Sequence, residues 1–334
     1  MDNCEAYANT RHVHRRPSAE SVVSSKTSHL LLSVIIPHLN QPEGLGVCLD
    51  SLDAQTLERS YFEVIVADNG SYSTPAPVIA RHPGVRLVTE ERPGPGLARN
   101  SGVRAANGDV FCFIDADCRA HPDWLRVACS TMASAPDRTI LGGDVHIWRD
   151  PNVPLTSIAA YESVFAYMQK AYIEKHGFSG TGNLVVRRVD FERIGPFEGI
   201  QVAEDMDWGR RALAAGFTFR YVPNLIIYHP PRRSLRELYV KWDRHTQHYL
   251  NMARGKSGWQ VRWVARAFAI LVSPAVSVFK IVTSDRIEGV FARLKAALVL
   301  IRVRAYRAWK MVSLMRSRGE VVWNRDAGLE SDSG

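Results

Sequence analysis

The chain has 334 residues, of which 46% are hydrophobic and 23% charged, with a net charge of +8. That is ample material for a core, in one large α/β domain or two smaller ones. Its five cysteines (Cys4, Cys48, Cys112, Cys118 and Cys129) are odd in number and contain no CxxC pair. This argues against a disulfide framework or a structural zinc site and points to a reducing compartment.

Residues 1–30 are polar, rich in His, Arg and Ser, without the apolar segment of a signal peptide, and are expected to form a flexible tail. LLLSVIIP (30–37) is a β-branched run ending in proline and reads as a buried strand. Leu45, Leu49 and Leu52 carry helical spacing through to Gln55. Phe62–Ala67 is a second buried strand, closed by the turn Asp68-Asn-Gly-Ser71. Residues 75–82 read as helix, Val85–Thr89 as a short strand, and Pro93-Gly-Pro-Gly96 as a loop entering a helix from Leu97 to Ala106.

The next run, Val110 to Ile114, is a buried strand leading straight into Asp115 and Asp117. Carboxylates are costly to bury unpaired, so two at a strand end suggest that the strand surfaces into a cleft. An Asp-X-Asp end can hold a hard divalent cation that bridges phosphate oxygens; taken alone, it equally fits a strand turning into solvent. Strand and helix alternate throughout, which predicts a mostly parallel sheet with crossover helices. Ligands on such sheets bind beyond the carboxyl ends of the strands. Pro37–Asn40, Asp68–Ser71 and Asp115–Asp117 all lie at such ends and should converge on one edge. Gly94-Pro-Gly96 imitates a dinucleotide fingerprint, but Arg99 stands at the third glycine position and the loop follows the third strand, so that reading is rejected.

SVIIPHLN (33–40), EVIVADNGS (63–71), PGPGLARNSGVRAANGDVFCFIDADC (93–118), GTGNLVVRR (180–188) and EDMDWGRRALAAGF (204–217) occur in this order. Together they resemble family 2 inverting glycosyltransferases of the GT-A fold, over residues 31–231. The resemblance implies that Asp117 binds the metal, with Asp115 near ribose and metal, and that Asp205 is the general base, supported by Glu204. The helix dipole alone would also favour an acid in that first turn. Similar enzymes place a third metal or phosphate contact where His229 stands, although a lone His after a strand is also commonly structural. Donor recognition is expected from Pro37, Asn40 and Asp68. Asn69 replaces the second acid often found there, which leaves open which side chain reads the base. Arg99 would lie near the diphosphate or in a surface ion pair. Thr181-Gly-Asn183 is a small-residue loop that lets sugar approach the backbone or serves as a plain turn. Trp124 and Trp208 are expected in the core rather than stacked on sugar.

Charge changes sign along the chain. Residues 1–231 carry a balance of −4, residues 232–325 one of +15, and residues 326–334, a second flexible tail, one of −3. A basic segment interleaved with apolar runs points to an anionic partner. Ala267–Phe279 is apolar but broken by Pro274, and about 20 Å of helix is too short to cross a ~30 Å hydrocarbon core; lengthened to 261–282, it would take in Arg262 and Arg266 as a tilted span. Residues 287–315 mix aliphatics and Trp309 with basic residues around the helix, without a clean polar face. This favours an interfacial helical extension on anionic lipid; a helical lid on the catalytic domain or a homodimer seam is the alternative. Asp243-Arg-His245-Thr-Gln-His248 has weak metal-like spacing and is expected on an acceptor-side helix near the site mouth.

The expected protein is thus an inverting, metal-dependent hexosyltransferase using Mn2+ or Mg2+ and a nucleotide sugar, preferably a UDP-sugar. Its acceptor would be a glycan, lipid-linked, at the cytoplasmic face of an anionic membrane, and nucleic acid is not an expected partner. The alternatives are a catalytically silent, membrane-docked scaffold of the same fold and a nucleotidyltransferase.

Overall fold

The computed structural model describes residues 30–150, 152–200 and 203–315. The tails expected at residues 1–30 and 326–334 lie, except for Leu30, outside the described residues. One eight-stranded sheet organises the chain. Its strands are β1 (Leu32–His38), β2 (Phe62–Asp68), β3 (Val85–Thr89), β4 (Val110–Ile114), β5 (Arg119–Ala120), β6 (Thr139–Ile147), β7 (Asn183–Arg187) and β8 (Thr218–His229), in the order β3-β2-β1-β4-β7-β6-β8-β5.

β3, β2, β1 and β4 are parallel, in the register that sets His38 beside Asp68. β7 then runs antiparallel between β4 and β6, while β8 is parallel to β6. The mostly parallel sheet is therefore present, with the inserted β7 and the two-residue edge strand β5 as its antiparallel departures. That insertion brings the start of β7 to the end of β4, with Asn183 opposite Ile114. It also leaves the carboxyl ends of β1, β2, β4 and β8 on one edge, where the polar loops gather.

Both sheet faces are covered, which is why the strands read as continuous apolar runs. Val34, Ile36, Val64, Val66, Val110 and Cys112 pack beneath Leu45, Leu49 and Leu52 of α1 (Pro42–Asp53) and Trp124 and Leu125 of α4 (Trp124–Ser134). Ile35, Ile65, Phe111 and Phe113 pack against Phe191 of α7 (Arg188–Ile194), Phe197, and Trp208 and Ala212 of α8 (Glu204–Ala214). Trp124 Nε1 donates to Asn183 Oδ1 and Trp208 Nε1 to the Gly195 carbonyl, so both tryptophans are core residues with satisfied indoles. Helix 75–82 shrinks to α2 (Ala76–Ile79), and α3 spans Pro95–Ala105.

Beyond β8 the chain is helical: α9 (Leu235–Arg254), α10 (Trp259–Val272), α11 (Pro274–Val282) and α12 (Val290–Leu314). Ser234 caps α9 by accepting from the Glu237 N–H, and Glu237 reaches back to the Arg233 N–H, close to a capping box. Pro274 opens a new helix at a 44° bend; no single described helix is long and apolar enough to cross a membrane, and α10 with α11 qualifies only as that bent pair.

α12 explains its own confusing pattern. Ala296, Val299, Leu300 and Val303 bury against Ala160 and Tyr161 of α5 (Ser157–Phe165), together with Leu238 of α9 and Ile281 of α11. On the opposite side Phe291, Leu294, Leu298, Ile301, Trp309 and Val312 are exposed, Phe291 by 81% and Leu298 by 64%. At 100° per residue these six fall within an arc of about 80°. α12 therefore has two apolar faces: one packs on the protein, as the lid alternative required, and one is bare. α10 repeats the arrangement, burying Trp263 and Ala267 while exposing Val261, Val264, Phe268 and Leu271.

Candidate active site

A cavity of about 730 Å³ opens at the strand-end edge. Pro37, Asn40 and Asn69 line it from β1 and β2, Asp115 and Asp117 from β4, Glu204 and Asp205 from α8, and His229 from β8. The loops expected to meet do meet. The cavity is also walled by Tyr167, by Gln169 and Tyr172 of α6 (Gln169–His176), by Arg232, and by Lys241, Arg244 and His245 of α9.

Asp117 and His229 face each other, with Nε2 3.3 Å from Oδ2. His229 Nδ1 pairs with the Pro230 carbonyl at 2.6 Å, so in the neutral ring the proton sits there and Nε2 carries a lone pair. Two acceptor atoms at that distance call for a proton or a cation between them. Burial acts to raise Asp117, yet the His229 contact holds its carboxyl below the usual range; burial acts to lower His229, yet Asp117 raises it. Among the described residues no three His, Cys, Asp or Glu side chains group closely enough to cage a metal. A carboxylate with an imidazole, completed by substrate phosphates and water, is a donor set that Mn2+ or Mg2+ accepts. The residues fit a divalent cation held by Asp117 and His229.

Asp115 lines the cavity too, but one of its oxygens is held by Arg99. Its Oδ1 accepts from Arg99 Nη2 at 2.7 Å, and Arg99 Nη1 lies 3.3 Å from Glu204 Oε1. Arg99, on α3, is 3% exposed, so it is a buried bridge between the two acidic motifs and not a surface ion pair. A Cβ at Gly182 would lie 2.6 Å from Asp115 Oδ2, which fixes the small residue in that loop. Asn183, next to it, is fully buried, giving its amide to the Asp144 and Leu225 carbonyls; it pins the loop and does not line the cavity.

Asp68 is also drawn back from the cavity. It accepts from the Ser71 hydroxyl and backbone N–H and pairs with His38 Nδ1 at 2.9 Å, and it does not line the cavity wall. Burial works against its ionised form, but the Ser71 and His38 hydrogen bonds hold its carboxyl below the ordinary range. Asp68 thereby fixes His38, and it is His38, with Asn40, that reaches the cavity. Asn69 accepts from the Gly94 N–H and donates to the Glu90 and Arg92 carbonyls, anchoring the Pro93–Gly96 loop. Asn40 and Tyr167, both at the cavity, are non-glycine residues in the left-handed region, at φ 53° and 49°. Such strain persists where the surroundings over-determine the backbone, and it gathers at working sites.

Asp205 is the most perturbed acid facing the cavity. Burial first and then the Glu204 charge push its carboxyl up to about 6. A largely desolvated carboxylate near neutrality, with a like charge next to it, is placed to take a proton from a hydroxyl.

The family model for Glycosyl transferase family 2 matches residues 33–195. The glycosyltransferase AglE of Haloferax volcanii is 32% identical over 207 residues, which are 60% of this chain and 67% of the relative. The chain belongs to glycosyl transferase family 2. It is a glycosyltransferase of class EC 2.4 with the GT-A fold. The amylovoran biosynthesis glycosyltransferase AmsB of Erwinia amylovora is 31% identical over 202 residues, 56% of this chain and 65% of the relative. In neither case does the similarity extend beyond about two-thirds of the relative's length. A solved mannosyltransferase of Pyrobaculum calidifontis, PcManGT, in complex with GDP-Man and Mn2+, superposes with a TM-score of 0.55 at 21% identity. The superposition covers 88% of this chain and 89% of that one, which extends the shared fold into the C-terminal helices.

The sequence alone did not single out Tyr167, Gln169, Tyr172, Arg232, Lys241 or Arg244. For α9 a signal existed: Lys241, Arg244 and His245 stand at i, i+3 and i+4, one face of a helix. His245 reaches the cavity as the acceptor-side helix reading expected, whereas Asp243 is engaged by Tyr306 and Lys310.

Proposed function

We propose that this glycosyltransferase moves a hexose from a UDP-sugar to a hydroxyl of a lipid-linked glycan, with inversion, at the cytoplasmic surface of an anionic membrane. The observation that carries the reading is that one cavity is lined both by a buried carboxylate raised to about 6 and by an Asp117–His229 pair suited to a divalent cation. Asp205 takes the proton of the attacking hydroxyl, which then displaces the diphosphate from the far side of the anomeric carbon in a single step. Arg99 holds Glu204 and Asp115 at fixed separation, so the base and the donor end of the cavity keep their spacing. His38 and Asn40 offer polar groups where the nucleoside would lie, and Asp68 orients the first of them. Bound at Asp117 and His229, a divalent cation would supply Lewis-acid stabilisation of the departing phosphates. The membrane part rests on the bare apolar rows of α10 and α12 interleaved with arginine and lysine; free thiols at Cys48, Cys112, Cys118 and Cys129 agree with a reducing compartment.

A thermal-shift panel of nucleotides and sugar nucleotides, each with and without Mn2+, tests the donor and the metal together. UDP with Mn2+ is expected to raise Tm most, and slow release of UDP from a UDP-sugar is expected on longer incubation. A larger shift with GDP overturns the choice of base, pyrophosphate release favours a nucleotidyltransferase, and no response to any nucleotide favours a silent scaffold.

A further inference from the structure

The cavity has a second charged wall, opposite in sign to the first. Lys241, Arg244 and His245 face it from α9, with Arg232 just ahead of that helix. Arg232 is balanced by buried Glu162, to which it donates through its backbone N–H and its guanidinium. Lys241 and Arg244 have no carboxylate within ion-pair distance among the described residues; Lys241 Nζ rests 5.0 Å above the Tyr167 ring. Burial first, then the charges of Arg232 and Arg244, pull the Lys241 ammonium down to about 8, with Glu162 opposing in part. Burial, then Lys241 and Arg244, push His245 down to about 3, so its ring is neutral near pH 7 and keeps one N–H to donate. Four basic side chains gathered on a partly desolvated wall with one carboxylate, Glu162, among them are under-compensated, and an anion bridging Lys241 and Arg244 relieves that cost.

On the transferase reading the donor's diphosphate lies at the Asp117–His229 pair, which Tyr167 separates from the wall, its ring 4.7 Å from His229 on one side and 5.0 Å from Lys241 Nζ on the other. α9 itself packs on α10 and α12, the helices that carry the bare apolar rows, through Leu238 and Leu250. An acceptor anchored among those rows would enter the cavity that α9 and Asp205 both line. We propose that Lys241 and Arg244, with Arg232 and neutral His245 beside them, form a binding site for a phosphate or diphosphate group carried by the acceptor. The acceptor is then a lipid phosphate or a glycan joined to lipid through one, and the cationic wall sets its depth in the cavity. This inference rests on the transferase reading above.

The test uses the full chain with farnesyl phosphate as probe, farnesol and inorganic phosphate as controls, and UDP with Mn2+ as the donor-side ligand. The wild type is expected to bind farnesyl phosphate well above both controls. Lys241→Met and Arg244→Gln should each weaken that binding by about tenfold or more, the loss expected for one charge-assisted hydrogen bond. Their UDP affinity should stay within about twofold, and Arg244→Lys should recover most of the loss. Wild-type affinity for farnesyl phosphate no better than for farnesol or inorganic phosphate overturns the proposal. So does a loss that falls on UDP instead, which assigns the wall to the donor. Absence of UDP binding in a wild type that holds farnesyl phosphate counts against the transferase reading and leaves the phosphate site standing.

Discussion

Replacing Asp205 with asparagine should abolish turnover and at the same time make the folded protein more stable at neutral pH. The carboxyl is raised from an ordinary 3.8 to about 6, with burial as the larger cause and Glu204 as the second. A shift of about two units corresponds to an upper bound of ~3 kcal/mol by which ionisation of this group opposes folding. The sign follows from proton binding: between about pH 4 and 6 the folded state holds the proton that the unfolded chain has released, so this contribution to stability falls as pH rises. Above about pH 6 the full cost is present, and a neutral amide at this position would not bear it. Thermal melts of wild type and Asp205→Asn at pH 4 and pH 7.5 should therefore show a Tm gap in favour of the variant at pH 7.5 that closes at pH 4. The same value governs the rate. As a base, Asp205 is only about one-tenth ionised at pH 5, so wild-type kcat/KM should drop about tenfold between pH 7.5 and 5, where a carboxyl at 3.8 would lose almost nothing. A variant less stable than wild type at pH 7.5, or a flat pH profile down to 5, refutes the reasoning.

Arg99→Met leaves Asp115 and Glu204 without their shared guanidinium. Breaking a buried pair from one side typically costs about 3–5 kcal/mol; partial exposure of both acids puts the expected loss in denaturant melts at the low end, with activity lost as well. Asp117→Asn and His229→Ala should each weaken Mn2+-dependent UDP binding by about tenfold or more, in calorimetric titrations, while metal-free UDP binding is unchanged; a loss independent of Mn2+ would remove both residues from the metal. Phe291→Ser combined with Leu298→Ser should lower co-sedimentation with phosphatidylserine vesicles and leave the melting curve nearly unaltered, since both side chains are exposed. If light scattering shows that the double variant instead splits a wild-type dimer, the bare row on α12 is a subunit seam.

The strand-end edge was readable because its signals are local. An apolar run that stops at Pro37 and His38, at Asp68, or at Ile114 before Asp115 announces both a buried strand and the polar loop after it, and the pairing His38 to Asp68 follows from parallel register. What a local signal does not carry is direction. Asp68 and Asp115 stand at the expected ends, yet one turns back to Ser71 and His38 and the other to Arg99, choices made by residues on a neighbouring strand or on another helix. Arg99 could be read as a surface ion pair because its two partners come from β4 and α8. α12 was hard to read for a different reason: a helix with apolar rows on two opposite faces has little amphipathic contrast, and only packing against α5, α9 and α11 separates the buried row from the bare one.

The C-terminal helices belong to the catalytic unit in physical terms, whatever their sequence resemblance. The core that buries Tyr161 is assembled from α5, α9, α11 and α12, so it crosses the boundary expected at residues 231 and 232. Arg286, in the link between α11 and α12, donates to the Asp144 carboxylate and the Val145 carbonyl, and Asp144 sits where β6 shifts register against β8. β8 ends at His229, so the segment that positions the imidazole opposite Asp117 is braced by a residue three helices further along the chain. The family match ends at residue 195, yet the raised carboxyl of Asp205, the imidazole of His229 and the cationic face of α9 all come later. A nucleotide-binding sheet alone would hold the donor. On the proposed reading, the residues that would select the acceptor and supply the base are built from the part of the chain beyond that match.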